Sequence, residues 1–293
     1  MLERDFIGYG NNSPKTEWPD GSILAISLVV NYEEGAERSI LDGDSESDPQ
    51  GESPARTPPN VRNIMNESYF EYGSRVGVWR LLDIFDNHRV PVTFFACGKA
   101  LERNTKVAKE IIVRGHEVCS HGYKWVDNFN LSREEQRQDM LRSIEAIKNT
   151  TGKRPVGYYP RGASVDTLTL AAEEGGFIYD SSTSSEDLPY FTETSAGKFL
   201  TIPYSLDCND YRYWKNIVGP DQFYGYLKAT FDQLYGEALS KPKMMSIGLH
   251  CRCSGLPARA RAIEEFISYA GSFSGVWFAR RADIARWWWE KYA

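Results

Sequence analysis

Two adjacent carboxylates stand where a hydrophobic run meets a glycine, and they are the first residues in the chain that suggest chemistry. The run ILAISLVV at residues 23–30 is followed by NYEEG, in which the carboxylates are Glu33 and Glu34. Successive residues of a strand point to opposite faces, so the two side chains can take different roles. Neighbouring carboxylates also push their pKa values apart, which can keep a base and a protonated acid together at neutral pH. The pair therefore predicts acid–base catalysis, and the alternative is a solvated acidic turn.

Two of the four histidines share a placement that favours catalysis. His121, in CSHGYKW, and His250, in SIGLHCRC, each follow a predicted strand directly. Imidazole changes charge near neutral pH and can both donate and accept protons. A core histidine satisfied by the backbone is the alternative for each. We predict four catalytic residues: Glu33, Glu34, His121 and His250.

The same residues raise the question of a metal. A hydrolytic zinc site commonly takes two histidines and a carboxylate and leaves one position for water. No second histidine follows His121 at close spacing, and Trp125 stands four residues after it. Glu34, His121 and His250 could still converge through the fold. We therefore predict no metal and no other cofactor, with a single divalent ion such as Zn near Glu34 and His121 as the alternative.

Arginines and mixed polar stretches supply candidates for substrate binding. Arg161, in YYPRGAS, and Arg252, beside His250, each offer a planar fork of donors to oxygen acceptors, although we expect Arg252 to be paired with a carboxylate. Residues 186–190 and 203–210 place donors and acceptors around apolar side chains, an arrangement that orients small polar ligands. The predicted substrate-binding residues are Tyr32, Trp125, Arg161, Asp187 and Asn209.

The elements that must position these residues alternate along the chain. Short β-branched or aromatic runs predict eight strands, at residues 23–30, 92–96, 117–119, 157–160, 177–179, 199–203, 244–249 and 275–278. Apolar residues three and four apart predict seven helices between and after them, at residues 75–87, 106–114, 133–149, 165–174, 222–239, 257–270 and 281–291. This alternation predicts an α/β fold with a parallel sheet. Because polar residues follow nearly every strand, we predict a (β/α) barrel with its active site at the carboxyl ends.

Composition excludes several classes of protein. The 293 residues carry a net charge of −6 and no Lys/Arg cluster, so a nucleic-acid partner is not expected. No apolar run approaches the length of a membrane span, and the first residues, MLERDFIGYG, lack the apolar segment of a signal peptide. The five cysteines show no C-x-x-C spacing, which favours reduced thiols and a cytoplasmic location. We expect a single domain over residues 1–293, with a long loop at residues 44–60 that is either an insert or a functional cover.

The motifs resemble those of a known family, in order along essentially the whole chain. NYEEG, VPVTFFACG, GHEVCSHGYKW, RPVGYYPRGA and IGLHC resemble the successive motifs of the polysaccharide deacetylase superfamily. VVNYEEGAE, FEYGSRVGVWR, VCSHGYKW, IPYSLDCND and SIGLHCR look like the allantoinase and cyclic-imide hydrolase branch of that superfamily. The resemblance implies a distorted (β/α) barrel of seven or eight strands and a homo-oligomer, either a dimer or a tetramer.

The resemblance also implies a role for individual residues. Glu33 stands where the deacetylases hold their catalytic base, and Glu34 where they hold a metal-binding aspartate. His121 matches the first metal-binding histidine, whereas Trp125 occupies the position of the second, so the metal triad is broken. His250 matches the general acid. The segment YYPRGAS departs from the allantoinase pattern near the expected pocket, so allantoin is not the favoured substrate.

These features together predict a hydrolase that opens the ring C–N bond of a small cyclic imide or ureide. Such rings contain a CO–NH–CO unit, whose nitrogen leaves easily because the second carbonyl delocalises its charge. A cyclic imide hydrolase is favoured, and an allantoinase is the alternative. A metal-dependent carbohydrate N-deacetylase and a ligand-binding protein without turnover are the further alternatives.

Overall fold

The computed structural model describes residues 4–15, 17–50, 57–211 and 219–293, and these contain one sheet of nine strands. The sheet is continuous from β6 at one end to β8 at the other, in the order β6-β7-β5-β4-β3-β2-β1-β8. The strands are β1 (Leu24–Tyr32), β2 (Thr93–Ala96), β3 (Glu117–Ser120), β4 (Gly157–Tyr158), β5 (Tyr179–Asp180), β6 (Tyr190–Thr194), β7 (Gly197–Thr201), β8 (Lys243–His250) and β9 (Val276–Phe278).

All strand pairs in the sheet are parallel except the β6–β7 hairpin. β1 pairs with β8 along nearly its whole length. Its other edge is divided, because residues 24–26 pair with β9 and residues 29–32 pair with β2. The described residues show no pairing between β6 and β8, so the curled sheet is not closed by hydrogen bonds at those two edges.

Ten α-helices lie among the described residues. They are α1 (Ile64–Tyr72), α2 (Val78–His88), α3 (Gly98–Arg103), α4 (Thr105–Val113), α5 (Arg133–Thr151), α6 (Thr167–Glu174), α7 (Pro220–Ala238), α8 (Cys251–Ser254), α9 (Pro257–Gly271) and α10 (Arg281–Tyr292), and a π-helical turn, Gly73–Gly77, joins α1 to α2. Ser132 and Glu135 form a capping box at the start of α5, and Pro257 is the first residue of α9. The capping box supplies partners for amide groups at the start of α5, and Pro257 has no N–H that would need a partner at the start of α9.

Side chains alternate across β1 and separate two layers of core. Leu24, Ile26, Leu28 and Val30 belong to the large apolar cluster that includes residues of the surrounding helices α2, α4, α7 and α9. Ala25 and Val29 belong to a second cluster, inside the curled sheet, together with Trp288 of α10. Because β1 is buried on both faces, its sequence is a continuous hydrophobic run rather than an alternating one.

A buried arginine fixes the start of α10 inside the sheet. Arg281 is fully buried, and its guanidinium donates to the carbonyl oxygens of Ile202 (2.6 Å) and Pro203 (2.7 Å) and to the hydroxyl of Ser181 (3.0 Å). The carboxylate of Glu117 accepts the backbone N–H of Ala282 at 2.9 Å. These bonds satisfy charged and backbone groups that would otherwise be buried without partners.

The predicted distorted (β/α) barrel is confirmed, with differences in individual elements. The hairpin strand β6 was not predicted, because YFTET is a half-exposed edge strand without a hydrophobic run. The partner strand β7 begins at Gly197, which has φ +104°. α1 was missed as well, since only Asn66 and Phe70 of its residues are buried and the segment has no apolar face. β4 and β5 are shorter than predicted, at two residues each.

The predicted loop at residues 44–60 is described on both sides of residues 51–56, which lie outside the described residues. Its first part is anchored, since Asp48 donates its backbone N–H to Arg38 O at 3.0 Å and its carbonyl accepts from Asn66 Nδ2 at 3.1 Å. Within the described ranges, no helix combines the length and apolar character needed to cross a membrane.

Candidate active site

Three predicted catalytic residues meet at the carboxyl end of the sheet. Glu33 directly follows β1, His121 follows β3, and His250 is the last residue of β8. Oε1 of Glu33 lies 3.3 Å from Nε2 of His121 and 3.6 Å from Nε2 of His250. All three residues are buried. One carboxylate oxygen therefore faces two imidazole nitrogens, as a general acid–base site requires.

The other oxygen of Glu33 is held by an arginine. Arg252, in α8, donates from Nη1 to Oε2 of Glu33 at 2.8 Å, and its side chain is fully buried. Burial alone would raise the pKa of Glu33, but the Arg252 guanidinium and the His250 imidazole hold it well below the ordinary value. Glu33 is therefore a carboxylate at neutral pH.

Glu34 points away from this cluster, as the alternation along a strand predicts. Its Oε2 accepts the backbone N–H of Glu33 at 2.9 Å, and its Oε1 accepts that of Arg252 at 3.3 Å. It lines a separate cavity of about 400 Å³ on the helical side of β1, next to Phe70 and Ser74. Burial raises the pKa of Glu34 to about 7; Arg252 opposes this shift and Glu33 adds to it. The two adjacent carboxyl groups thus have opposite pKa shifts.

His250 is oriented by an aspartate that was not among the predicted site residues. Nδ1 of His250 lies 2.7 Å from Oδ1 of Asp210, and its backbone N–H donates to Oδ2 at 2.7 Å. Ser254 Oγ also donates to Oδ2, at 2.7 Å. Burial would lower the pKa of His250, but Asp210 and Glu33 outweigh it and raise the value to about 10. His250 is therefore an imidazolium at neutral pH, with Nε2 facing Glu33.

His121 is fixed by the loop after β4. Its Nδ1 donates to the carbonyl oxygen of Tyr159, and its ring stacks on the Tyr159 ring with an interplanar angle of 3° and a centroid distance of 5.1 Å. The bond at Nδ1 leaves Nε2 as the nitrogen that faces Glu33. His121 can therefore exchange a proton only on the side of Glu33.

Aromatic rings form the floor below His121. Tyr159 contacts Phe95 at a centroid distance of 4.7 Å and Tyr204 at 5.0 Å. The Tyr204 hydroxyl accepts from the side-chain amides of both Asn31 and Asn209, each at 3.0 Å. Asn209, a predicted substrate-binding residue, is thus brought close to the cluster, but its Nδ2 donates to Tyr204.

Trp125 and Arg161 lie together at the next position around the rim. The guanidinium carbon of Arg161 is 4.0 Å from the centroid of a Trp125 ring, and that of Arg252 is 5.2 Å away. Arg161 also pairs with Asp48 (2.8 Å), from the long loop, and with Asp127 (2.9 Å). Trp125 is 5% exposed. Its ring packs against two guanidinium groups, and its role as a substrate-binding residue stays a prediction.

Two predicted substrate-binding residues lie elsewhere. The Asp187 side chain is 63% exposed and lies 3.6 Å from Nζ of Lys243, the first residue of β8 and therefore at the end opposite His250. The structure therefore does not bring Asp187 together with Glu33, His121 and His250. Tyr32 also lies apart from these residues: its ring is buried in the outer core, and its hydroxyl bonds to Ser74 Oγ at 2.8 Å.

The described residues do not fit a metal ion at Glu34 and His121. Both oxygens of Glu34 accept backbone N–H groups, and among the described residues no hydrogen bond or ion pair joins it to His121. Trp125 stands where the resemblance places a second ligand. Among the residues that the structure describes, no group of three His, Cys, Asp or Glu side chains is arranged to hold an ion. A fixed cation, Arg252, lies instead against the carboxylates.

Sequence reasoning missed several residues that build the site. Asp210 lies in the polar run after the sixth predicted strand, which could have indicated it. Arg252 was expected to pair with a carboxylate, and it does so with Glu33, but it was not listed among the predicted site residues. Tyr159 and Asp48 gave weaker signals, since nothing in YYPRGAS or in the loop ties them to a histidine or an arginine. Their partners are 38 and 113 residues away in sequence.

Comparisons with known proteins agree with this architecture. The model of the polysaccharide deacetylase family matches residues 65–179. A putative polysaccharide deacetylase of Schizosaccharomyces pombe is 36% identical over 99% of this chain and 98% of its own length. The structure of a probable polysaccharide deacetylase from Pseudomonas aeruginosa PAO1 has a TM-score of 0.96 and 47% identity, covering 99% of both chains. The structure of Puue allantoinase also has a TM-score of 0.96, with 45% identity over 100% of this chain and 99% of that one.

These similarities extend over nearly the whole chain, and so do the motifs that predicted them. They support the coarser predicted activity, a hydrolase of the deacetylase type. Because the 36% identity to the Schizosaccharomyces pombe protein spans almost all of both chains, this chain belongs to the polysaccharide deacetylase family.

Proposed function

We propose that this protein is a hydrolase that opens the ring C–N bond of small cyclic imides or ureides, with cyclic imides favoured. One observation carries the proposal: Glu33, ionised by Arg252, faces both His121 and the imidazolium of His250. A buried carboxylate beside a protonated imidazole provides a base and an acid on either side of one small volume.

In the proposed reaction, water lies against Oε1 of Glu33 and attacks one ring carbonyl. Glu33 takes the proton of the water as the new C–O bond forms, and a tetrahedral intermediate results. The ring C–N bond then breaks, and His250 gives its Nε2 proton to the departing nitrogen. The proton on Glu33 returns to His250, whose Nε2 lies 3.6 Å away, so both groups regain their starting states. When Nε2 carries a proton in addition to Nδ1, His121 stabilises the negative charge that develops on the carbonyl oxygen.

The chemistry of the substrate matches what this site provides. The nitrogen of a CO–NH–CO unit leaves with its charge spread onto the second carbonyl, so its expulsion needs less help than that of an ordinary amide nitrogen. Arg252 and His250 supply fixed positive charge at the rim. An N-acetyl amide of a sugar has no second carbonyl and makes a stronger demand for electrophilic activation.

Allantoin hydrolysis is the second candidate, and whole-chain similarity supports it. The allantoinase structure shares 45% of its residues with this chain over nearly the full length of both. Allantoin is a ureide with the same CO–NH–CO unit, so the proposed mechanism applies to it unchanged. The names of other relatives favour carbohydrate deacetylation, which Trp125 and the orientation of Glu34 argue against.

A panel of ring substrates tests the proposal. Purified protein of measured metal content is incubated with succinimide, hydantoin and allantoin, and the loss of ring absorbance is followed. We expect turnover of at least one ring, with Glu33→Gln and His250→Ala each losing about a hundredfold or more in kcat. Melting temperatures of both variants serve as the folding control. Near-normal turnover by both variants, or no turnover of any ring, would reject the proposal.

The assembly and location of the protein also stay predictions. A dimer or tetramer is expected from the resemblance, and sedimentation of the purified protein measures it directly. A cytoplasmic location is expected as well, and fractionation of cells that express the chain tests it.

A further inference from the structure

One guanidinium is placed between the two adjacent carboxylates. Nη1 of Arg252 is 2.8 Å from Oε2 of Glu33 and 3.7 Å from Oε1 of Glu34. The three side chains are between 0 and 2% exposed. The backbone N–H of Arg252 donates to the same oxygen of Glu34 that the guanidinium approaches. Arg252 is therefore within ion-pair distance of two buried carboxyl groups.

The surroundings hold Arg252 and Glu34 in this arrangement. The guanidinium carbon lies 4.5 Å from the Phe70 ring centroid and 5.2 Å from a Trp125 ring centroid. The π-helical turn closes on Glu34 at a glycine: a Cβ at Gly73 would lie 2.4 Å from Oε1 of Glu34 and 2.9 Å from the backbone nitrogen of Arg252. Only a residue without a side chain allows this approach.

The proposed reaction makes this sharing useful. Glu33 becomes neutral each time it accepts a proton from water, and Arg252 then loses its main counter-charge. A buried cation without a counter-charge is strongly unfavourable, so its loss would oppose the proton transfer. Glu34 offers a second carboxyl group to the same guanidinium, while the imidazoles of His121 and His250 lie on the other side of Glu33.

We propose that Arg252 is a positioning residue that shifts its ion pair from Glu33 to Glu34 when Glu33 is protonated, and that Glu34 is the second counter-charge rather than a catalytic base. This inference rests on the proposed function and deepens it. It also explains two adjacent carboxylates on opposite sides of the strand end without assigning a metal to either. Glu34 never contacts substrate in this arrangement.

A thermodynamic cycle tests the ion pair without any substrate. The melting temperatures of wild type, Arg252→Met, Glu33→Gln and the double variant are compared at pH 7. We expect Arg252→Met to melt lowest, because it leaves buried carboxylate charge unpaired, and the double variant to melt above it. If Arg252→Met yields no folded protein and the double variant does, that result also supports the ion pair. Strictly additive losses would overturn the pairing.

Kinetics test the shift to Glu34 on whichever ring the wild type opens. Glu34→Gln and Arg252→Lys should each lose about tenfold or more in kcat with KM nearly unchanged. Millimolar guanidinium should restore part of the activity of Arg252→Ala, whereas urea, its neutral analogue, should not. A wild-type kcat in Glu34→Gln, or equal effects of guanidinium and urea, would overturn the inference. If the wild type opens no ring, the proposed function fails, and the melting cycle still decides the ion pair.

Discussion

Replacing Asp210 by Asn should convert the acid of this site from an imidazolium into an ordinary histidine. Asp210 Oδ1 contacts Nδ1 of His250, and its Oδ2 accepts both the His250 backbone N–H and the Ser254 hydroxyl. An amide removes the negative charge and turns one acceptor into a donor, which faces donors already in place.

The magnitude follows from the pKa of His250, which Asp210 and Glu33 raise from 6.5 to about 10 against the effect of burial. One pKa unit is worth about 1.4 kcal/mol, so the imidazolium is favoured by on the order of 5 kcal/mol. Asp210 contributes more of this than Glu33. Without it, the alkaline limb of kcat/KM should move down from about pH 10 by roughly two units or more. Activity at pH 6 should survive much better than activity at pH 9.

The same shift predicts a pH dependence of stability. A histidine whose pKa is raised on folding stabilises the protein fully below the unfolded pKa, 6.5, and this contribution is lost as pH rises through about 10. Asp210→Asn should therefore destabilise the protein most at pH 6 and least above pH 10. Profiles of kcat/KM and of melting temperature between pH 5 and 11 measure both effects.

A matched control lies three residues upstream. Asp207→Asn changes an exposed aspartate of the same loop, whose Oδ1 accepts from the Tyr226 hydroxyl at 2.6 Å, away from His250. The alkaline limb of the kcat/KM profile of Asp207→Asn should coincide with that of the wild type. An unchanged limb in Asp210→Asn, or equal shifts in both variants, would refute the assignment of His250 as the acid that Asp210 holds protonated.

Three further predictions concern other parts of the site. Asp187→Ala should change kcat/KM by less than about twofold, because the side chain lies beside Lys243, away from the rim. A larger loss in steady-state assays would show that Asp187 acts in the site after all. Gly73→Ala should cost on the order of 2 kcal/mol in the free energy of unfolding, measured in urea, because its Cβ would meet the pinned carboxyl of Glu34; wild-type stability would contradict that packing. Burial raises the pKa of Glu34 to about 7, so its contribution to the free energy of unfolding is greatest below pH 4.5 and is lost as pH rises through 7. The loss is on the order of 3 kcal/mol. A pH titration of stability should show this fall in the wild type and not in Glu34→Gln.

The sequence alone predicted which strand ends carry the site, and the reasons are physical. The run ILAISLVV is continuous because β1 is buried on both faces, and parallel strands must bring their carboxyl ends to one edge. Glu33, His121 and His250 therefore converged where strand ends were expected. The opposite orientations of Glu33 and Glu34 also followed from the alternation of side chains along a strand.

The sequence could not show which side chains pair across the chain. Glu33 and Arg252 are 219 residues apart, and only the fold shows that this arginine, rather than Arg161, contacts the candidate base. Asp187 was assigned to the site from local composition, but its side chain lies beside Lys243 of β8, a contact that no local pattern reveals. Trp125 was predicted to bind substrate, and no local pattern reveals the two guanidinium groups packed against it.

The most direct test of the central claim compares two amides on one metal-depleted sample of the protein. Ring opening of succinimide or hydantoin is measured beside acetate release from an N-acetylglucosamine oligomer. We predict ring turnover that needs Glu33 and persists with a chelator present, together with no detectable acetate. Acetate release that depends on added zinc, with the imide rings left intact, would contradict the account.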